Sequence, residues 1–304
     1  MKTALILGIS GNFGSQMAMA LNAEGWRVRA LVRDQTKVPT WLSASDVWIG
    51  DASNEQLIEE AALGADLIVY SVNPVYYRWE EQALQLLEPT ARVAEKLKIR
   101  ILFPGNVYNF SPTTKLISEE APMTPITEKG EIRVRMENRL FQASKLGAKV
   151  TIVRAGDFIG PSTHFTWLDL TLKNKEDVAK MKFPHDEDHI HFWSYLPDLC
   201  ANTALLMSQP QSSYEVWHDD GLKLNQNDWQ QAFIANDKQF QPSQFSWWAF
   251  KLVAPFVPLV REVVKMQYLW KQPVLLNGDK MKQALKSDYQ TTPLKNILPL
   301  LTSN

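Results

Sequence analysis

The apolar run Leu5-Ile6-Leu7 stops in three glycines spaced three apart, Gly8-Ile9-Ser10-Gly11-Asn12-Phe13-Gly14, and a helix-patterned stretch follows. Glycines after a buried strand let the backbone turn sharply and lie close to whatever sits above it. The helix that follows presents unpaired N–H groups and the positive end of its dipole. A tight turn that merely packs a helix onto a strand would need similar residues. The surroundings decide between the two readings: here they are a first strand, the glycines, a helix and a second strand. That order makes Gly8, Gly11, Asn12, Phe13 and Gly14 a candidate cradle for a dinucleotide pyrophosphate. The spacing G-x-x-G-x-x-G differs from the G-x-G-x-x-G of ordinary dehydrogenases.

Alternation continues through the first 155 residues. Short apolar runs at Ala4–Leu7, Val28–Val32, Val47–Gly50, Leu67–Ser71, Ile99–Phe103 and Val150–Arg154 read as parallel strands covered on both faces. Helical stretches at Phe13–Glu24, Asn54–Leu63, Tyr77–Leu97 and Glu128–Leu146 lie between them, and Pro89 should break or kink the third. Strand–helix alternation predicts an α/β fold, a Rossmann-type doubly wound parallel sheet. A small, mainly helical substrate-binding region is expected over 156–304, with a strand near 214–218 returning to the sheet. The composition changes there: all five histidines and seven of the eleven tryptophans lie beyond residue 150.

With 32 basic and 33 acidic residues, the formal net charge is −1, which argues against a nucleic-acid partner. The single cysteine, Cys200, excludes an intramolecular disulfide and fits a reducing, cytoplasmic setting. The N-terminal apolar run is too short for a signal peptide. The most membrane-like stretch, Trp247–Val260, is 14 residues long and interrupted by Lys251, Pro255 and Pro258. No membrane span is expected, since a crossing helix needs about 20 apolar residues. The stretch reads as a buried or interfacial helix, with contact to a partner or a membrane surface as the alternative.

Several further landmarks accompany the glycines: Leu31-Val32-Arg33, Gly50-Asp51, Pro104-Gly105-Asn106-Val107-Tyr108, Arg154-Ala155-Gly156-Asp157-Phe158-Ile159-Gly160-Pro161 and Tyr195-Leu196-Pro197-Asp198-Leu199. Together they resemble the short-chain dehydrogenase/reductase superfamily, closest to its extended and atypical members, the NAD-dependent epimerase/dehydratase group. The resemblance covers most of the chain and leaves the substrate open. It implies a nicotinamide dinucleotide, with Asp51 and Ala52 beside the adenine and Asn73 and Pro74 beside the ribose and diphosphate.

Counting about 20 positions past the glycines nominates Asp34 as the ribose ligand. The second strand, however, ends at Val32, where NAD-specific relatives usually carry the acid. Arg33 follows, with Lys37 one turn on. A guanidinium can grip a 2′-phosphate in bidentate fashion, so the expected cofactor is NADP rather than NAD. The alternative is that both cations are solvated loop charges.

Active members of the superfamily carry Tyr-x-x-x-Lys on a helix, where the ammonium lowers the phenol pKa. A serine at the fifth strand's end polarises the reacting oxygen. Aligning on Glu137 places Lys129 at the tyrosine position and Arg133 at the lysine position. The strand end, Leu102-Phe103-Pro104-Gly105-Asn106, has no serine. Lys129, Arg133 and the nearby phenol of Tyr108 are the candidate catalytic residues. The competing reading makes Lys129, Arg133 and Glu137 a surface row, opposite a buried face of Ile132, Met136, Leu140 and Ala143.

Tyr76, Arg78 and Trp79 follow the fourth strand, at the sheet edge where α/β ligands bind, and are candidate substrate residues. His185-Asp186-Glu187-Asp188-His189-Ile190-His191 has metal-ligating residue types. Relatives use a similar stretch to line the substrate cleft, so His191 and Trp193 are assigned to substrate and no metal is expected. Asp198 should cap the helix beginning after Pro197. Two functions fit: an NADP-dependent oxidoreductase or epimerase-like enzyme acting on a small polar metabolite such as a sugar nucleotide, or an inactive NADP-binding regulator or redox sensor. The expected partner is a small molecule, and a homodimer stays open.

Overall fold

The computed structural model describes residues 1–74, 79–113, 116–174 and 177–301. Its first half builds β1 (Thr3–Leu7), α1 (Asn12–Ala23), β2 (Arg27–Val32), β3 (Val47–Ile49), α2 (Glu55–Ala62), β4 (Leu67–Tyr70), α3 (Trp79–Leu97), β5 (Arg100–Gly105), α4 (Glu128–Lys145) and β6 (Lys149–Arg154). The second half continues with β7 (Asp157–Ile159), α5 (Trp167–Thr171), β8 (Leu172–Asn174), β9 (Val178–Phe183), β10 (His191–Tyr195), α6 (Leu196–Ser208), β11 (Tyr214–His218), β12 (Leu222–Leu224), α7 (Gln226–Ile234), β13 (Gln239–Gln244), α8 (Trp247–Val253), α9 (Pro258–Lys265), α10 (Asp279–Leu285) and α11 (Leu294–Ile297).

Among the described residues, seven strands form one sheet in the order β11-β6-β5-β4-β1-β2-β3. Every neighbouring pair in it is parallel. Alternate residues of β1 feed opposite cores. Ala4 and Ile6 pack with α1 and α6 on one face. Leu5 and Leu7 pack with α2, α3 and α4 on the other. The strand order reverses between β1 and β4, which opens a crevice above their carboxyl ends.

Four expectations need correction. The third helix runs unbroken through Pro89, whose missing N–H costs a single bond in a 19-residue helix. The fifth strand continues two residues further, through Pro104 and Gly105, paired to Val153 and Arg154. The region after residue 155 is mixed rather than mainly helical. It holds the three-stranded sheets β12-β10-β7 and β13-β9-β8 around its own aromatic core. Strand β9 alternates Val178, Ala179, Lys180, Met181, Lys182 and Phe183, burying every second residue, the period of a half-covered strand. Trp247–Val260 forms parts of two short helices rather than one, because Pro258 starts α9. No helix among the described residues is long and apolar enough to cross a membrane.

Candidate functional site

The three glycines do different jobs. Gly8 has φ +89°, and a Cβ there would sit 2.7 Å from the Ser71 carbonyl oxygen. A Cβ on Gly14 would lie 2.2 Å from the Gly8 carbonyl oxygen and 2.5 Å from Ser71 Oγ. These two glycines therefore let α1 press against the ends of β1 and β4. Gly11 faces open space, its Cβ position meeting only the Gly8 carbonyl oxygen at 3.4 Å. It caps α1 without a side-chain bond. The first-turn N–H groups of such a helix have no partner within it. The Ser71 hydroxyl donates to the Leu7 carbonyl at 2.7 Å and ties the two strand ends together at the switch point.

Asn12 and Phe13 reach across to the second half of the chain. The Asn12 amide donates to the His164 carbonyl at 2.8 Å and accepts from the His164 N–H at 3.0 Å. Phe13 is buried and stacks on Phe158 at 6.3 Å. Of Phe13, then, the backbone is available to a ligand while the side chain is packing.

Beyond β2, Arg33 and Lys37 are exposed. The Asp34 carboxylate is already engaged, accepting from the Thr36 N–H at 3.0 Å and the Thr36 hydroxyl at 2.6 Å. The bond from the Thr36 side chain, more than any other cause, holds its pKa below the ordinary value. Asp51 is also held below the usual range, mainly by the Ser53 side chain, with the Arg33 guanidinium adding to it. Arg33, Lys37, Asp51 and the half-buried Ala52 thus gather at the ends of β2 and β3. Exposed Asn73 and buried Pro74 follow β4 beside the glycine turn.

The helix α4 row is not at the surface. Lys129 is 7% exposed and Glu137 1%. The Lys129 ammonium lies 2.9 Å from the Glu262 carboxylate of α9 and 5.9 Å from the Trp79 ring centre. Burial holds its pKa below the ordinary lysine value, with Glu262 opposing. Arg133 donates to the Pro104 carbonyl, and its guanidinium lies 4.4 Å from the Phe103 ring centre. Burial, ahead of every charge around it, lowers its pKa to about 10. Glu137 pairs with Arg154 in a buried bidentate bridge and accepts from Asn109 at 3.0 Å. The row is covered by Glu262 of α9, by the end of β5 under Arg133, and by Arg154 of β6 with Asn109 of the loop after β5 against Glu137, and none of these contacts is visible in the local pattern of α4. Ile132, Met136, Leu140 and Ala143 are buried as expected.

Tyr108 lies on this same loop, its ring 6.2 Å from that of buried Trp79. Tyr76 and Arg78 lie outside the described residues. His191 is 5% exposed, 2.7 Å from the Asp157 carboxylate and stacked on Trp270 at 3.5 Å. Trp193 is 1% exposed, packed between Trp229 and Trp270 in the second core. The structure therefore makes Trp193 a core residue rather than a cleft wall, and His191 part of an aromatic stack. No group of three potential metal ligands occurs among the described residues. Asp198 does not cap α6; it holds the C-terminal segment, accepting from the N–H and hydroxyl of Thr292. Ser71 and Glu262 were missed. Ser71 carried a signal, as the polar residue ending an apolar strand; Glu262 carried none.

The NmrA-like family model matches residues 1–189. Over 176 residues, 54% of this chain, the sequence is 26% identical to Protein YeeZ of Escherichia coli strain K12. That match spans 61% of YeeZ. UDP-glucose 4-epimerase of Thermus thermophilus, solved in complex with NAD, superposes with a TM-score of 0.70 at 14% identity, covering 99% of both chains. The dTDP-glucose 4,6-dehydratase DesIV of Streptomyces venezuelae, with NAD and DAU bound, gives 0.70 at 14%, covering 99% of this chain and 97% of the other. WbmH of Bordetella bronchiseptica, in complex with NAD+, gives 0.67 at 16% over the same shares. At such identities the likeness concerns the fold. The family match covers more than half of the chain and rests on the half that carries the glycine turn: the chain belongs to the NmrA-like family, on the fold of the extended short-chain dehydrogenase/reductases.

Proposed function

We propose that the protein binds a nicotinamide dinucleotide, NADP(H) in preference to NAD(H), and acts as a nucleotide-binding regulator or redox sensor rather than as a tyrosine–lysine reductase. The observation that carries this reading is the state of α4. The residue at the tyrosine position is an ammonium held by Glu262, and the residue at the lysine position is an arginine bound to the Pro104 carbonyl. An arginine does not give up its proton in a protein, so no phenolate–ammonium pair is available there.

The cradle fits the dinucleotide. Outward-facing Gly11 and the first turn of α1 suit a pyrophosphate. Exposed Arg33 and Lys37 suit a 2′-phosphate, and Asp34 is spent on Thr36. Asp51 and Ala52 would flank the adenine, and Asn73 and Pro74 the ribose and diphosphate. The bound NAD of the structural neighbours supports a dinucleotide without choosing the phosphorylated form. Bound there, the nicotinamide would supply or take up a hydride.

A second reading keeps the site as an epimerase-like enzyme for a sugar nucleotide. It is favoured by the buried, pKa-lowered Lys129 over the Trp79 ring, against which Tyr108 packs, and by neighbours such as MoeE5, solved with UDP-glucuronic acid and NAD. Calorimetric titration with NADPH, NADP+, NADH and NAD+, followed by a turnover screen of carbonyl compounds and sugar nucleotides, separates the two. Tighter NADP(H) binding with no turnover is expected. Failure to bind any of the four nucleotides would overturn both readings, and clear turnover would establish the second.

A further inference from the structure

The hairpin of α8 and α9 is apolar, yet neither helix contains a buried residue. It carries the side chains of Trp248 (69% exposed), near its base, and of Leu252 (65%), Phe256 (85%) and Leu259 (49%), towards its tip. Both of its ends are anchored. Phe245 is buried just before α8, and the Trp247 indole donates to the Pro184 carbonyl at 2.8 Å. Met266, Leu269 and Trp270 enter the second core just after α9. The hairpin is therefore fixed at both ends, with Trp248, Leu252, Phe256 and Leu259 turned to solvent. A contiguous exposed apolar patch marks a place where something docks.

The charges indicate what docks. Residues 247–271 carry Lys251, Arg261, Lys265 and Lys271 against one acid, Glu262. Glu262 is held between Lys129 and Lys265, and Lys265 also faces Glu128 at 3.6 Å, which leaves Lys251 and Arg261 as the outward cations of the hairpin. Lys251 and Arg261 are exposed, and no ion pair is shown for either among the described residues. In the adjoining small sheet, exposed Lys173 lies directly opposite exposed Lys180, a like-charge pairing that ordinarily disfavours a sheet. Protein–protein interface cores are depleted in lysine. Exposed tryptophan, phenylalanine and leucine interleaved with lysine and arginine is instead the pattern of a segment lying in the boundary of an anionic bilayer.

We propose that the α8–α9 hairpin docks the protein peripherally on an anionic lipid surface, Trp248, Leu252 and Phe256 entering the headgroup boundary and Lys251 and Arg261 meeting the lipid charge. The test is co-sedimentation of the full chain with phosphatidylcholine vesicles, with and without phosphatidylglycerol. Cys200 is the single cysteine and fully buried, so a Val253→Cys variant takes an environment-sensitive fluorophore at one place. Binding to phosphatidylglycerol vesicles and a blue-shifted label are expected, with little binding to phosphatidylcholine alone. Phe256→Asp should weaken vesicle binding by about tenfold or more, the scale of losing one buried aromatic side chain. A Lys251→Glu/Arg261→Glu double variant should do the same while keeping the circular dichroism and melting profile. Equal binding to neutral and anionic vesicles, or no vesicle binding, overturns the proposal. So does self-association without vesicles that Phe256→Asp abolishes, which would make a second copy of the chain the occupant.

Discussion

Asn12 and His164, 152 residues apart, exchange two hydrogen bonds that join the first turn of α1 to the loop after β7. The side chain of Asn12 both donates and accepts, a combination that an aspartate cannot reproduce. Asn12→Asp should lose one of the bonds and Asn12→Ala both, in a surface position where each contributes about 0.5–1.5 kcal/mol. Limited proteolysis of the 160–166 loop should be faster in both variants and fastest in the alanine. Unchanged cleavage rates would show that the loop is held by other contacts, such as Phe13 on Phe158.

In the proposed function, Arg33 is the group that tells the two nicotinamide dinucleotides apart. It stands exposed at the end of β2, near Asp51, while the neighbouring Asp34 is turned to Thr36. Arg33→Ala should weaken NADPH binding by about 1.5–3 kcal/mol, the range for a bond to a charged group, and leave NADH binding nearly unchanged. Calorimetry on both nucleotides reads this directly. Equal affinity of the unmodified protein for the two would remove the basis of the claim.

The glycine turn makes a contrast within one loop. Gly11→Val places its branched side chain in open space above α1, so nucleotide binding should be lost while the circular dichroism spectrum stays the same. Gly14→Ala forces a Cβ to within 2.2 Å of the Gly8 carbonyl oxygen, so it should lower stability outright, by about 1–3 kcal/mol as for other overpacked contacts. A stable Gly14→Ala together with normal nucleotide binding by Gly11→Val would assign the turn a different role.

What the sequence disclosed and what it hid differ in physical range. The sheet, its glycine turn and the buried face of α4 are encoded in short windows, through apolar runs and helical periodicity. Long-range contacts have no such signature. Lys129, Arg133 and Glu137 have the spacing of a solvated row, and they are covered by residues distant in sequence: Glu262 of α9, Phe103 and Pro104 of β5, and Arg154 of β6 with Asn109 of the loop after β5. His191 and Trp193 sit in a stretch whose residue types suit a metal, a cleft or a core equally well, and Trp270, which stacks on His191, lies far along the chain. The hairpin over 247–265 was legible as apolar, but its exposure was not, because periodicity says which face is apolar and not what covers it.

Stability should fall as the pH drops below neutrality. His185 is held down to about 4 and His218 to about 3, both chiefly by burial, against an ordinary value of 6.5. Between those values the unfolded chain binds more protons than the folded one, so stability rises with pH across the window. Asp219 acts in the opposite direction. Burial lifts its carboxyl from 3.8 to about 6, so its ionisation costs stability as the pH rises through that span. Burial lowers His189 as well and raises Asp198 and Glu119 alongside Asp219; with the paired carboxylates Glu88, Asp220 and Glu262 also held low, the balance is a loss on acidification, about 1.4 kcal/mol per pH unit for each net proton. Urea midpoints at pH 7, 5.5 and 4.5 should decrease in that order. His218→Gln should flatten the trend and Asp219→Asn should steepen it. A midpoint that rises on acidification would contradict the burial of the two imidazoles.

The Lys129–Glu262 pair is unequal, and the inequality is testable. The Lys129 side chain is 9% exposed and that of Glu262 is 19%. Glu262 has a second cation, Lys265, at 3.0 Å. Replacing Lys129 therefore leaves a half-buried carboxylate that keeps one of its partners, while the flexible thioether of methionine fills the space beside Trp79. Replacing Glu262 leaves a buried ammonium without the carboxylate that faces it. Glu262→Gln should thus cost about 1–3 kcal/mol, the scale of stripping a charged partner from a buried group, and Lys129→Met clearly less. Glu262 also opposes the effect of burial on Lys129, so Glu262→Gln should push the lysine pKa lower still. Carbon-13 methylation of the lysines, read by NMR across a pH titration, would follow that shift. A Lys129 resonance that titrates at the ordinary lysine value in both proteins would show the ammonium to be solvated. A costlier Lys129→Met would show that the lysine stem, rather than its charge, holds α9 against α4.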